Sequence, residues 1–309
     1  FNKINNIPET LPKSVVDNYN ITNRAKAYKY LHLPTTDKEI EQAKQRLAFE
    51  ELYIVMMAAQ KMRQLNKSAP AKPIVFNQKV AKNFVSSLPF TLTPDQKQVA
   101  WQILKDMQKT EPMNRLVEGD VGSGKTVVAT LATIMALDAG LQVAFVAPTE
   151  LLARQHYQTI KKLLGHTEHV KNIRLLIWSL KQKHKKDIHQ DIKTSKATCV
   201  IGTHAILQKN VVWNNLGLVI IDEQHRFGVQ QRQSLHATQE TMPHILCMTA
   251  TPIPRSLALT VYGELSISII AKPPNHKASI FTSVVSPNST AKMYSAIKDQ
   301  LNKGNQAYI

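Results

Sequence analysis

The stretch Gly119-Asp-Val-Gly-Ser-Gly-Lys-Thr126 decides the fold. Its spacing, G-x-x-x-x-G-K-T, is that of a phosphate-binding loop, and it stands between an apolar run ending near Glu118 and a helical run reaching Ala139. Gly119, Gly122, Ser123 and Gly124 form a loop whose backbone can curl until several N–H groups face one phosphate, helped by the N-terminus of the helix that follows. Lys125 would neutralise the β- and γ-phosphates of a nucleotide, and the Thr126 hydroxyl would ligate Mg²⁺. A glycine-rich turn with a chance lysine and threonine leaves the strand before and the helix after unexplained.

Working outward, short β-rich runs alternate with helical ones, the signature of an α/β domain built on a parallel sheet covered by helices. Strands are expected near 115–118, 142–147, 172–178, 198–201, 217–221 and 244–248. Thr93-Pro94 opens a helix with proline at its first position, and Gly140 closes another. One complete domain is expected over 88–265. Before it, 1–87 reads as a helical linker. Thr36-Asp37-Lys38-Glu39 has the spacing of a capping box, with Glu39 able to reach back to the cap. Nothing then interrupts a helix of about 30 residues until Pro70, and Ser68 to Pro73 has a linker's composition. After 265, Pro273 and Pro274 mark a connector, followed by a strand near 279–285, a helix near 289–303 and a strand opening at Gln306 to Ile309. Residues 266–309 are therefore expected to begin a second α/β domain.

Lys plus Arg exceeds Asp plus Glu by 39 − 22 = 17 in a chain of 309 residues, which favours a polyanionic partner, nucleic acid or an anionic surface. Hydrophobic residues at 43% and charged ones at 20% exclude disordered and collagenous classes. No apolar run approaches the roughly 18 residues that a membrane-spanning helix needs, and the best, Leu216 to Ile221, is strand-sized. Cys199 and Cys247 lack metal-ligand spacing and read as small buried hydrophobes in a reducing cytosol. The opening FNKINNIPETLPK has no signal-peptide core and reads as if cut from something longer. The tract Lys181 to Lys186 reads as a solvated face or loop.

The apolar run Leu216 to Ile221 ends in Asp222-Glu223, where paired carboxylates are costly unless a cation or water uses them. Asp222 would hold Mg²⁺ through its water shell, and Glu223 would act as general base on the attacking water. Gln224 and His225 complete a D-E-Q-H tetrad. Met248-Thr-Ala-Thr-Pro252 puts Thr249 and Thr251 at the end of the next strand, where ligand crevices form in such sheets.

Phosphate loop, D-E-Q-H and T-A-T in this order resemble superfamily 2 helicases and translocases with their RecA-like motor domains, over about residues 88 to 309. Within that superfamily, Asp222-Glu-Gln-His-Arg-Phe-Gly-Val229, Gln231 and Arg232, Met248-Thr-Ala-Thr-Pro-Ile-Pro-Arg255 and Leu257-Ala-Leu-Thr-Val-Tyr-Gly263 are similar to the RecG family of bacterial ATP-dependent DNA helicases. The related Mfd-type transcription-repair translocases typically read D-E-E-Q-R-F where this chain has Gln224-His225. Leu11-Pro12, Ala43 to Arg46 and Leu47-Ala-Phe-Glu-Glu51 resemble the segment that links the family's DNA-reading wedge to its motor.

The resemblance implies a cytoplasmic bacterial enzyme that uses ATP and Mg²⁺ to pump double-stranded DNA and remodel branched substrates such as stalled forks and recombination junctions in repair and recombination. It implies neither a membrane nor an obligate protein partner. Phe90 and Gln96 in Leu88-Pro-Phe-Thr-Leu-Thr-Pro-Asp-Gln96 resemble the adenine-recognition motif, although Thr93 and Gln96 also have capping-box spacing. Thr149, Arg154 and Thr203 fall in motifs that face the DNA backbone, and contacts of that kind fix position without reading sequence. His225 joins Lys125, Asp222 and Glu223 as a catalytic candidate. Gln224, Thr249 and Thr251 are expected to couple the γ-phosphate to the DNA face, while Arg226 and Phe227 suit packing under the cleft equally well. The family's arginine finger and wedge are expected outside this chain, leaving it weak in hydrolysis. Two other readings stay open: an Mfd-like translocase that engages RNA polymerase, and a non-hydrolysing ATP sensor that binds DNA, against which Glu223 argues.

Overall fold

The computed structural model describes residues 7–68, 70–208, 210–223, 241–251, 265–271, 282–286 and 289–308. The chain divides into two compact units, Phe1–Pro273 and Pro274–Ile309.

The first unit opens with helices α1 (Lys13–Asn18), α2 (Arg24–His32) and α3 (Asp37–Ser68). Asn23 caps α2 by accepting from the Lys26 N–H at 2.8 Å. At the start of α3 the Thr36 hydroxyl accepts from the Glu39 N–H at 3.3 Å. The Glu39 carboxylate passes the cap and takes the Thr35 N–H and hydroxyl, each at 2.7 Å, so the expected box closes one residue earlier. Fully buried Ala27 and Ala43 leave room for α2 and α3 to pack. There the buried Arg46 guanidinium holds Glu50 at 2.7 Å and also pairs with Glu9. Burial pushes the Glu9 carboxyl up, but hydrogen bonds from Leu11, Arg24 and Arg46 outweigh it and hold the group below its usual range.

Beyond Pro70 the chain is held where a free linker was expected. The Pro70 carbonyl accepts from the Met242 N–H at 2.9 Å, and the Ala71 and Ile74 N–H groups donate to Thr110 and Met107, each at 2.7 Å. Buried His244 accepts from the Met113 N–H at 2.9 Å and lies 2.9 Å from the Lys72 carbonyl. Its burial pushes the imidazole pKa down, and a neutral ring fits a nitrogen that accepts and another that donates. Composition marks a proline-rich segment as irregular, but a segment of that kind can still find partners for its backbone groups in the fold.

Next come α4 (Gln78–Ser87), α5 (Pro94–Met107), β1 (Asn114–Gly119), α6 (Lys125–Asp138), β2 (Gln142–Val146), α7 (Glu150–Leu163), β3 (Ile173–Leu176), α8 (Gln182–Lys193), β4 (Cys199–Gly202), β5 (Leu216–Asp222), β6 (His244–Thr249) and β7 (Ser266–Ile270). The strands form one parallel sheet in the order β3-β4-β2-β5-β6-β1-β7. Alternate residues of β2 serve opposite layers. Val143 and Phe145 join Ile103, Met107, Met135 and Ile160 on one side, and Ala144 and Val146 join Val200, Val219 and Ile245 on the other. Every residue of α6 from Val128 to Leu137 is buried, as expected of a helix apolar all round. Cys199 and Cys247 are buried as read, and burial pushes the Cys199 thiol up to about 12. The lysine tract opens α8 with its side chains mostly in solvent.

Both expected domain edges move outward. Ile74, Ala81 and Phe84 lie in the core before residue 88, and β7 pairs with β1 beyond residue 265. Strand β7 alternates Ser and Ile too briefly to be told from a connector by pattern alone. Its Ser268 hydroxyl, 2.6 Å from an Arg115 Nη1–H, secures the edge. In the second unit α9 spans Thr290–Asn302 as expected. No strand occupies 282–286 or 305–308, and the rest of the strand expected near 279–285 lies outside the described residues. A strand exists only through a partner's hydrogen bonds, and among the described residues of this unit none supplies them.

Candidate nucleotide and DNA site

Parallel strands put all their carboxyl ends on one edge of the sheet, and the described candidate residues of the first unit other than Phe90 lie on that edge or on the helices beside it. β1 leads into the phosphate loop, β5 ends in Asp222, and β6, between them, ends in Thr249. Next to β5, β2 leads to Thr149, and β4 leads to Thr203. Nucleotide and DNA candidates thus occupy adjoining stretches of one edge, the usual place for ligands in open α/β sheets.

The loop has the conformation that its glycines predict. Gly122 and Gly124 take φ of 78° and 90° in the left-handed region. Gly124 is the N-cap of α6, where no side chain caps the helix, so its first N–H groups are left for an anion. Ser123 is buried and its Oγ has no hydrogen-bond partner among the described residues. A buried hydroxyl beside an uncapped helix N-terminus suits a phosphate oxygen, and the Thr126 hydroxyl and Asp222 carboxylate are the hard oxygen ligands that Mg²⁺ takes.

Half-buried Lys125 folds onto the loop, its Nζ donating to the Gly119 carbonyl at 2.5 Å and to that of Asp120 at 3.1 Å. Burial pushes its pKa below the ordinary lysine value, and the charges of Asp222, Glu223 and Asp120 partly offset this. The lysine therefore senses both members of the acidic pair, which lie almost a hundred residues away in sequence. Glu223 itself sits at φ 56°, a conformation costly for a side chain with a Cβ. Backbone strain of that kind is found at working sites.

Gln96 completes the capping box its spacing allowed and adds a bond the spacing did not show. Its N–H donates to Thr93 Oγ1 at 3.2 Å and its Oε1 accepts from the Thr93 N–H at 2.9 Å, completing the capping box. Its Nε2 also donates to the Ser123 carbonyl at 2.8 Å, fastening α5 to the phosphate loop. Phe90 lies exposed at the surface. A Cβ at Gly124 would stand 2.3 Å from Gln96 Nε2. Gly124→Ala should therefore displace the amide and force alanine into a left-handed conformation, lowering stability by about 2 kcal/mol. Thermal melting checks this, and an unchanged midpoint would mean the loop adapts freely.

On the DNA side, Thr149 caps α7 by accepting from the Leu152 N–H at 3.3 Å. Exposed Arg154 donates to Ser179 Oγ at 3.1 Å, while Glu150 accepts from the Ser179 N–H and hydroxyl at 2.9 and 2.7 Å. Thr203 is partly exposed just past β4. The hydroxyls of Thr249 and Thr251 lie 2.8 Å apart. Gln224 and His225, with Arg226 and Phe227, lie outside the described residues.

Two further residues join the edge without having been read from the sequence. His156 Nε2 lies 2.7 Å from Asp222 Oδ2. Ala153, His156 and Ile160 share helical spacing, and the first and last are fully buried, so periodicity alone could have placed His156 on the inward face. Trp178 is 80% exposed, with the Lys185 ammonium 4.6 Å from its ring centroid.

The sequence profile of the DEAD/DEAH box helicases matches residues 93–260, and the chain belongs to that family. Among curated proteins, it is 41% identical to the ATP-dependent DNA helicase RecG of Thermotoga maritima, over 98% of this chain and 38% of the relative. RecG of Streptococcus pneumoniae is 39% identical over 98% of this chain and 45% of the relative. Among solved structures, RecG bound to a three-way DNA junction superposes with a TM-score of 0.87 at 38% identity, covering 98% of this chain and 40% of that one. The chain spans less than half the length of these relatives. Among its described residues, no helix is long and apolar enough to cross a membrane.

Proposed function

We propose that this chain carries the ATP-binding motor portion of a RecG-type DNA helicase, one that remodels branched DNA by translocating on the duplex. The observation that carries the reading is the sheet edge itself. The phosphate loop and Asp222-Glu223 converge at the ends of β1 and β5, and Thr149, Arg154 and Thr203 follow on beside β2 and β4. The likeness to a RecG structure on a three-way junction supports branched DNA as the partner. The excess of 17 positive charges supports a polyanion in general.

In this reading ATP is held by the phosphate loop and Lys125, with adenine beside Phe90 and Gln96. Mg²⁺, held by Thr126 and Asp222, supplies charge neutralisation at the phosphates. Glu223 accepts a proton from the attacking water. Gln224, His225, Thr249 and Thr251 connect the γ-phosphate to the DNA side. Residues up to about 70 form a helical arm joining the motor to a DNA-reading domain, and 274–309 belong to a second motor domain. The setting is the bacterial cytoplasm.

The test is the ATPase rate of the full-length protein with and without a synthetic replication fork. Strong stimulation by the fork, exceeding that by linear duplex, is expected. Hydrolysis indifferent to DNA would overturn the motor reading.

A further inference from the structure

Asp222 and His156 meet from opposite directions. Asp222 ends β5, and His156 lies on α7, two residues beyond Arg154, with side chains only 14% and 12% exposed. An ionised carboxylate can only accept, so Nε2 must be the donor. We propose that His156 is a positioning residue: its Nε2–H fixes the Asp222 carboxylate for the nucleotide's Mg²⁺ and ties it to the helix that carries Thr149 and Arg154. The inference rests on the nucleotide reading given above.

The terminal torsion of an aspartate is broad and roughly two-fold, so a carboxylate at a strand end has no fixed orientation of its own. The bond to His156 commits Oδ2 and so sets the plane of the group. The imidazole is itself held, its ring 4.7 Å from that of Phe145 on β2 and tilted by 44°. Buried Ala153 and Ile160 seat α7 against the sheet on either side of His156. A residue that orients a metal ligand typically accounts for about 10–100-fold in metal affinity.

The tie to DNA follows from placement. Thr149 caps α7, Arg154 is in its second turn, and His156 follows on the same rigid element. A hydrogen bond weakens steeply as its angle departs from linear. A small shift of α7 on binding a DNA backbone therefore changes how firmly Asp222 is held. No chain of intermediate residues is needed, because one helix bears both contacts.

The test uses the full-length protein and the Mg²⁺ concentration that half-saturates binding of a fluorescent, non-hydrolysable ATP analogue. His156→Phe keeps a ring against Phe145 and loses the donor, whereas His156→Gln keeps a donor. The phenylalanine variant should need about tenfold more Mg²⁺, and the glutamine variant should recover most of that difference. A synthetic fork should change the Mg²⁺ requirement of the wild type and not that of the phenylalanine variant. An unchanged requirement in His156→Phe, or equal impairment in His156→Gln, would overturn the positioning role. A fork without effect on the wild type would overturn the tie to DNA. Lys125→Ala separates the levels: if it binds the analogue normally, the nucleotide site is misassigned. If it fails to bind while His156→Phe behaves as wild type, only the proposal for His156 falls.

Discussion

Glu223→Gln is expected to leave ATP binding in place and to stop turnover, with the rate falling by about 10² to 10⁴, the usual contribution of a general base. The substitution preserves size and removes only the proton acceptor, so the strained backbone at φ 56° and its surroundings need not change. Neutralising the residue also removes one of the charges that offset the burial of Lys125. Nucleotide affinity should therefore hold or change slightly while hydrolysis collapses. Equilibrium binding of the ATP analogue and steady-state release of phosphate, measured on the full-length protein, separate the two. Turnover within threefold of wild type would remove Glu223 from the role of base and reopen the reading of the chain as an ATP sensor.

Lys125→Ala should act on the other term. The ammonium is half-buried against the Gly119 and Asp120 carbonyls, and in the proposed reading it would turn to the phosphates when nucleotide binds. Removing a cation that clamps a transferring phosphoryl group costs about 10² to 10³ in rate, and here analogue affinity should fall as well. The fold should not suffer. Burial already works against the charged form of this lysine, so deleting it relieves a desolvation penalty. The variant is expected to melt no lower than the wild type while binding nucleotide poorly. A lowered melting point together with retained binding would show that the lysine supports the loop and not the ligand.

Much of the site was legible because it is local. The phosphate loop needs glycine where φ is positive, at Gly122 and Gly124, and a helix start directly after, and those demands are met within eight consecutive residues. The same holds for Thr93 and Gln96, whose capping box needs only three residues of separation. The second bond of Gln96, to the Ser123 carbonyl, was not legible, because it joins residues 27 apart. His156 was missed for a related reason. A single histidine inside an amphipathic helix has no motif, and its partner Asp222 is 66 residues away. Trp178 has no periodic signal either, and only exposure distinguishes it from a core residue.

Domain edges failed where local composition and long-range pairing disagree. Ser68 to Pro73 looks like free linker, yet its backbone is bonded to Met242 and Thr110. The five residues of β7 are a strand only because β1 lies alongside. The described parts of the strands expected at 279–285 and from 306, residues 282–285 and 306–308, find no such neighbour among the described residues of their unit.

By itself the sequence determined the α/β class, the phosphate loop with its glycines and lysine, the acidic pair after a buried strand, and the long helix after Thr36. Each is dictated by backbone sterics, capping or hydrophobic period within a few consecutive residues. Only the tertiary structure decided which strands are neighbours, and therefore that Lys125 senses Asp222 and Glu223, that Gln96 fastens the loop, and that His156 holds Asp222. Those relations depend on sheet order, which is set by how the whole chain buries its apolar faces and satisfies its backbone groups, and no local stretch encodes it.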